Sequence, residues 1–466
     1  MKRIMMSLVR KKRFWFISKI FLTGLIFNIA FIRVTAQNTY PDFNAINWTT
    51  AAPQQYSVSE AQGEVVHGKL YSFGGFDSRK SPAFTPTKRA YVYDPANDTW
   101  SAIADLPYTP NGADYGGVTH AGITTDSTDI YIAGGYTSNT AGTGQIFGTK
   151  QVWKYIISQN VYTQLPDLPV TIAAGQLEFL DGKLHYIAGT NSSRTLDLGT
   201  HYVLDLNNLS NGWATLAPLP NPRQHAASTV YKGKIYFIGG QHGHDAELVT
   251  QKDVHVYDPV NDTWTKMADL PVPAGENGRG HISSAAAVIG DRILVLGGEI
   301  VHKTSVNMVS AYSPAANSWE NLTPLPQSRF SGVAGVIDSI IYYTGGSGTR
   351  TTYKGTPELV VLSSQNPAAV SEQDAFDSER NFKKPIVYPN PVQKQFKIRF
   401  PSTYRGHFNL TIADRAGRIY NLGKIRIQTQ NSDINIDISR FSLPPGVYFL
   451  KIISETKNDQ IKLIIQ

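Results

Sequence analysis

The chain has no cysteine in 466 residues. That absence excludes disulfides, zinc sites built on thiolates, and a lipid carried on an N-terminal cysteine. A chain of this length can still bury a core without covalent staples. Charged residues are sparse at 17%. Uninterrupted apolar sequence is sparse too. The run Ile20 to Ile32 falls short of the roughly 20 residues that a membrane-crossing helix needs.

Acidic residues are missing from the first 36 positions, which carry eight Lys or Arg. A basic start, the apolar run and the small residues Val34-Thr35-Ala36 form the pattern of a signal peptide, with cleavage expected near Ala36. Without that leader the chain holds 35 basic and 36 acidic residues, so its pI of about 9.2 says nothing about nucleic acid. No Arg-rich aromatic platform or nucleic-acid motif appears, and nucleic acid is excluded as an expected partner. The charge is also split. Residues 37–384 hold 23 basic and 31 acidic groups, and residues 385–466 hold 12 and 5.

What is present in abundance is repetition. Glycine pairs stand at Gly74-Gly75, Gly134-Gly135, Gly239-Gly240, Gly297-Gly298 and Gly345-Gly346, with a degenerate copy read at Gly189-Thr190. Their spacing of 48 to 60 residues is that of a propeller built from four-stranded sheets. Apolar strand-like runs such as Lys234 to Ile238 precede the glycines. Turns such as Tyr93-Asp94-Pro95-Ala96-Asn97-Asp98 follow them, where Pro presets φ and Asn or Asp accepts the left-handed region. Trp100, Trp213, Trp264 and Trp319 close these units, Tyr162 takes the place of one Trp, and Leu-Pro lies six residues beyond each aromatic.

These residues resemble the kelch repeat over roughly Trp48 to Leu362. The resemblance implies that the glycines and tryptophans are structural, packing blade on blade. There are six glycine signals but five downstream aromatic strands. Trp48 lies 26 residues before Gly74, the interval that also separates Trp213 from Gly239 and Trp319 from Gly345. The segment around Trp48 is therefore expected to close a sixth blade by pairing with a third strand placed at Glu358–Leu362, leaving no open edge. Galactose oxidase is a relative in fold, but its thioether-linked tyrosine needs a cysteine that this chain lacks.

From Leu362 to Lys384 the sequence turns polar and reads as a linker. Alternating strands resume at Gln395–Phe400, Phe408–Ile412, Ile434–Ile438 and Tyr448–Ile452, with turns such as Asp414-Arg415-Ala416-Gly417, a small β-sandwich by period. Tyr388-Pro389-Asn390-Pro391, Leu443-Pro444-Pro445-Gly446-Val447-Tyr448 and the closing Lys462-Leu463-Ile464-Ile465 resemble the C-terminal sorting (Por) domain of the type IX secretion system of Bacteroidota. That resemblance implies export read from the tail, with surface attachment or release. The expected organisation is all-β: a signal peptide at 1–36, a six-bladed propeller at 37–363, a linker at 364–384 and a sorting domain at 385–466.

Loop length locates the working face. The second-to-third-strand loops and the blade connections share one face, and the surplus length falls in Tyr108–Gly117 and Val272–His281. Binding residues concentrate on loops held by a rigid scaffold. His120, His225, His242, His244, His281 and His302 lie on or beside that face. Arg223, Arg279 and Arg329 recur just before three inner strands; they are read either as a clamp for a carboxylate or phosphate or as struts to backbone carbonyls and acids. His242, His244 and Asp245, with Glu299 and His302 on the next blade, supply metal-ligand or acid–base residue types without the spacing of a specific motif. No metal or cofactor is assigned. The expected function is a secreted or cell-surface monomer that binds a glycan or protein on this face. A carbohydrate-active enzyme resembling the kelch-type sialic-acid epimerases and a structural adhesin are the alternatives.

Overall fold

The computed structural model describes residues 43–80, 82–108, 117–139, 141–359, 384–401, 403–414, 418–427, 433–441, 443–454 and 457–466. The leader, residues 109–116 of the first long loop, most of the linker and residues 415–417 of the tail turn lie outside them. The chain divides into two compact units, Met1–Val361 and Leu362–Gln466.

Five four-stranded antiparallel sheets and one five-stranded sheet, that of blade three, form the blades of the first unit, with three two-stranded ribbons beside them. Their inner strands are Gln62–Val66, Gly122–Thr125, Gln176–Leu180, Ala227–Tyr231, Ala286–Ile289 and Gly332–Ile337. Blade six is closed from the N-terminal side: Phe43–Ala51 pairs with Thr352–Leu359, and Trp48 stands opposite Gly355. A Cβ at Gly355 would lie 2.6 Å from the Trp48 ring, so that glycine is what lets the closing tryptophan lie flat. The third strand begins at Thr352, six residues before the expected Glu358, and includes Glu358 and Leu359, while residues 360–362 of that expectation lie outside the described residues; pairing with the nine-residue closing strand needs a partner of similar length.

One device joins neighbouring blades. Each outer-strand aromatic donates to a carbonyl just beyond the preceding blade's outer strand: Trp48 to Thr323, Trp100 to Ala52, Trp213 to Pro166, Trp264 to Ala217 and Trp319 to Ala268, at 2.8–3.1 Å. Tyr162 does the same with Ala104 at 2.9 Å. Tyrosine replaces tryptophan there because the phenol reaches the same kind of acceptor.

The glycine pairs hold positive φ throughout, as at Gly297 (66°) and Gly298 (115°). A Cβ at Gly297 would sit 2.4 Å from the Arg329 carbonyl of the next blade. In blade three the corresponding angles belong to Ala188 (61°) and Gly189 (115°). The degenerate copy is therefore Ala188-Gly189, one residue earlier than the reading at Gly189-Thr190.

The second unit is a β-sandwich. A three-stranded sheet (Ile386–Tyr388, Gln395–Arg399, Asp433–Asp437) faces a four-stranded one (Ile419–Ile427, Gly406–Asp414, Gly446–Ile453, Asn458–Ile465). Its core includes Phe396, Ile398, Phe408, Leu410, Leu450 and Leu463, residues that alternate with exposed ones along each strand.

Candidate functional site

Just before each inner strand the chain passes through one left-handed residue: Glu60, His120, Ala174, His225, His281 and Ser331, with φ between 49° and 57°. Backbone hydrogen bonds link these positions from blade to blade. The Ala174 amide donates to the His120 carbonyl (2.8 Å), the His225 amide to Ala174 (2.9 Å) and the Ser331 amide to His281 (2.7 Å). Left-handed backbone is costly for residues with a Cβ, and strain of this kind concentrates at functional sites. Here it turns six side chains, one per blade, toward the propeller axis.

Four of the six carry chemistry. Glu60, His120, His225 and His281 each offer one ligand-type atom, all within 4.8 Å of one another. The Nε2 of His120 stands 3.5 Å and the Nε2 of His281 3.7 Å from the Glu60 carboxylate. His225 lies between the two other imidazoles, with ring centroids 4.9 Å from His120 and 4.1 Å from His281. The other ring nitrogens are held from behind: His281 Nδ1 is 2.7 Å from Glu299, and His120 Nδ1 is bonded to the Thr119 hydroxyl. Ser331 donates to Glu60. His225 Nδ1 is buried and has no partner.

Burial pushes His120 and His225 well below the ordinary histidine pKa, helped by the neighbouring His281. It raises Glu60, against the pull of His281 and Ser331. Burial also opposes charge on His281, but Glu60 and Glu299 outweigh it and hold that imidazole above its usual value. The cluster thus combines neutral imidazoles with one histidine that favours its charged form beside a carboxyl group.

The other expected residues separate clearly. His244 borders the cluster, bonded to Gln224 (2.8 Å) and Thr190 (3.2 Å); burial, then Arg194, pulls its pKa to about 4. Asp245 pairs with Arg194 at 3.1 Å. His242 is spent on Asn221 at 3.0 Å. His302 lies in the turn after the strand Glu299–Val301, part-exposed and away from the group that converges on the axis.

The arginines spend their donors inside the propeller. Arg223 and Arg279 are fully buried. Arg223 donates to the carbonyls of Gly239, Asn221, Phe237 and Asp253. Arg279 donates to Gly297, Val295 and Met308 and to Ser310 Oγ. Burial lowers both pKa values to about 9, which leaves them charged at neutral pH. Arg329 is 5% exposed and bonds Ser328, Gln327 and Tyr353. All three arginines thus direct donors to groups of their own blades.

Sequence reasoning missed Glu60 and left His120 among the face histidines without a role. A signal existed: Glu60, His120, His225 and Ser331 each lie fourteen residues before the first glycine of their pair, and His281 lies sixteen before. Aromatic rings surround the cluster. Tyr136 is 4.6 Å and Phe76 5.7 Å from His120, and Phe330 is 5.7 Å from His281. Phe84, 66% exposed and at φ 63°, stands edge-on to Phe76.

Residues 177–346 match the KLHDC2/KLHL20/DRC7 Kelch-repeats domain, residues 59–107 the Kelch motif, and residues 386–466 the Secretion system C-terminal sorting domain. The Kelch-like protein terF of Aspergillus terreus is 28% identical over 294 residues, 62% of this chain and 59% of that one. Alpha-scruin of Limulus polyphemus is 25% identical over 59% of this chain and 28% of its own. N-acetylneuraminate epimerase 1 of Escherichia coli is 29% identical over 44% of this chain and 62% of its own. The chain thus spans less than two thirds of each of these relatives. A solved structure of YjhT superposes with a TM-score of 0.50 at 16% identity, covering 66% of this chain and 96% of that one, a likeness of fold.

Proposed function

Starting from a kelch propeller joined to a secretion sorting domain, we propose that the protein works outside the cell as a glycan-binding module whose ligand enters the axial funnel. The sorting domain supports export and a secreted or cell-surface location. Within that frame we assign a leader at 1–36 cleaved near Ala36, a propeller at 37–363, a linker at 364–384 and a type IX sorting domain at 385–466.

One observation carries the ligand reading: four polar side chains from four blades, three of them buried and His281 partly so, converge on the axis inside a collar of aromatic rings. Small-molecule sites are concave and aromatic-lined, with a few convergent polar groups. A sugar matches that mixture, presenting hydroxyls to Glu60 and the histidines and an apolar ring face to Phe84 or Phe330. An anion held by the arginines is not the favoured ligand, since those side chains are committed to the blades.

A second reading has its own observation. Groups whose surroundings push their pKa values apart are how acid–base pairs are built, and Glu60 with His281 beside neutral His120 and His225 is such a set. Sugar mutarotation or epimerisation would use one as base and another as acid, and one similar protein is named for such an activity.

Purified protein should bind a restricted set of sugars on a glycan array, and Phe84→Ala with Phe330→Ala should reduce that binding at least tenfold. Catalysed mutarotation of a bound sugar, lost in Glu60→Gln, would favour the second reading. Absence of any sugar binding in the millimolar range would overturn both.

A further inference from the structure

We infer that Glu60, His120, His225 and His281 form a binding site for a divalent first-row transition metal at the propeller axis, with Glu299 and Thr119 positioning two of the ligands. Zinc bound at 2.0–2.1 Å in a tetrahedral site needs its ligands roughly 3.3 Å apart. The contacts from Glu60 to His120 and to His281, 3.5 and 3.7 Å, are already near that separation. The widest pair in the group is within 4.8 Å, so small side-chain rotations complete the set.

The ring orientations are those of ligands. A metal-bound histidine ordinarily hands its second ring nitrogen to a carboxylate, carbonyl or other polar partner, which fixes the tautomer and aims the ring. His281 gives Nδ1 to Glu299 and turns Nε2 toward Glu60. His120 gives Nδ1 to Thr119 and likewise turns Nε2 toward Glu60. Glu299 is 2% exposed and also accepts the Lys303 amide, so it is a fixed support rather than a surface charge.

His225 supplies the independent sign. It is 2% exposed and its buried Nδ1 has no partner, although leaving a polar atom so placed costs about 1–3 kcal/mol. His281 Nδ1 also lacks a conventional hydrogen bond but has the Glu299 carboxylate 2.7 Å away, whereas His225 Nδ1 has no such neighbour. A metal among these atoms would give the four a common partner.

Donor chemistry sets the class of ion. Three imidazoles and one carboxylate suit zinc, nickel, copper or iron; calcium and magnesium favour sets made of oxygens. Arg194 of blade three, whose charge is felt at His120 and His225, is paired with Asp245. At the axis Ala174 brings no donor, so the candidate ligand set is the four side chains of blades one, two, four and five.

The test uses full-length protein purified without a histidine tag, stripped with chelator and dialysed. Calorimetric titration with ZnCl2 should give one site per chain with Kd below about 1 μM, and CaCl2 should give no saturable heat. Saturating zinc should raise the melting temperature, because a ligand bound only by the folded state stabilises it. Glu60→Gln and His225→Asn should each weaken zinc at least tenfold, and Glu299→Gln by about 10–100-fold, the usual consequence of losing an outer partner. Asn tolerates left-handed backbone, so His225→Asn keeps the local fold. If either ligand variant does not fold, the zinc-dependent melting shift of the parent and the Glu299→Gln titration decide the matter. Failure of zinc, nickel and copper all to bind the parent overturns the proposal, as does parental affinity in the ligand variants that fold. No sugar enters this experiment, so a negative glycan array leaves it untouched.

Discussion

Arg279 and His281 stand two residues apart in one repeat, and the fold puts them to opposite uses. Arg279 points into its blade and spends its donors on backbone carbonyls and a serine. His281 passes through a left-handed turn at φ 49° and points to the axis, where it meets residues of other blades. Arg223 and His225 repeat the contrast in blade four. In blade six Arg329 is again committed to its own blade, while the axial position falls to Ser331. The backbone angle, not the side-chain type, assigns the role. An arginine at a repeated position in a funnel looks like a ligand clamp on paper, yet its long side chain is what can reach the carbonyls that the glycine-pair turns leave inside the blade.

The largest effect that would sharpen this contrast comes from Arg279→Gln. The shorter amide cannot reach Gly297, Val295, Met308 and Ser310 together, and buried polar groups left unpaired cost about 1–3 kcal/mol each. Urea unfolding of the isolated protein should show a loss of about 3–5 kcal/mol, the range seen when one member of a buried charged network is removed. A loss below 1 kcal/mol would return Arg279 to the list of ligand-binding residues.

A graded effect is expected from a second pair of axial carboxyls, Glu64 and Glu178, on the inner strands of blades one and three. Burial raises both pKa values to about 8, and Glu178 is raised further by Glu64 and lowered by its bond from Ser228. The unfolded value is near 4.5, so between pH 4.5 and 8 the native state holds protons that the unfolded chain has released. Stability from these groups is complete below pH 4.5 and is lost as pH rises through 8. The melting temperature of the parent should therefore fall from pH 5 to 8.5 more steeply than that of Glu64→Gln/Glu178→Gln. Identical slopes would mean that these carboxyls ionise freely in the channel.

Much of the framework was readable because it repeats. The glycine pairs, the Asp-Pro turns and the tryptophans mark each blade, and Trp48 at its 26-residue interval pointed to closure from the N-terminal side. The blade-three copy slipped by one residue because Ala188 takes the left-handed angle that glycine takes elsewhere. The site was only partly readable. His225, His281 and Glu299 were named for their loops, but Glu60 sits in a segment with no histidine or arginine to draw attention. The convergence depends on closure of the ring, which brings residues 60 and 281 to adjacent sides of one axis. No local pattern encodes that. The two uses of the arginines could not be separated in the sequence for the same reason, since burial is a property of the assembled blade and not of the repeat.

The smallest expected effect is also the one that tests the contrast most directly. If axial residues are not part of the framework, His225→Asn should change the unfolding free energy of metal-free protein by no more than about 1 kcal/mol. Two terms oppose each other. Losing the ring contacts with His120 and His281 costs packing, as removal of buried atoms does. The shorter carboxamide keeps a polar atom near the place of Nδ1 but is smaller and can rotate toward a partner, and Asn is better suited than His to φ 53°. Measured beside Arg223→Gln, two residues away in the same blade, the gap in urea-unfolding free energy should be at least about 2 kcal/mol. A cost for His225→Asn equal to that of the arginine variant would mean that the axial histidines brace the ring, and that the arginine and histidine layers form a single structural network.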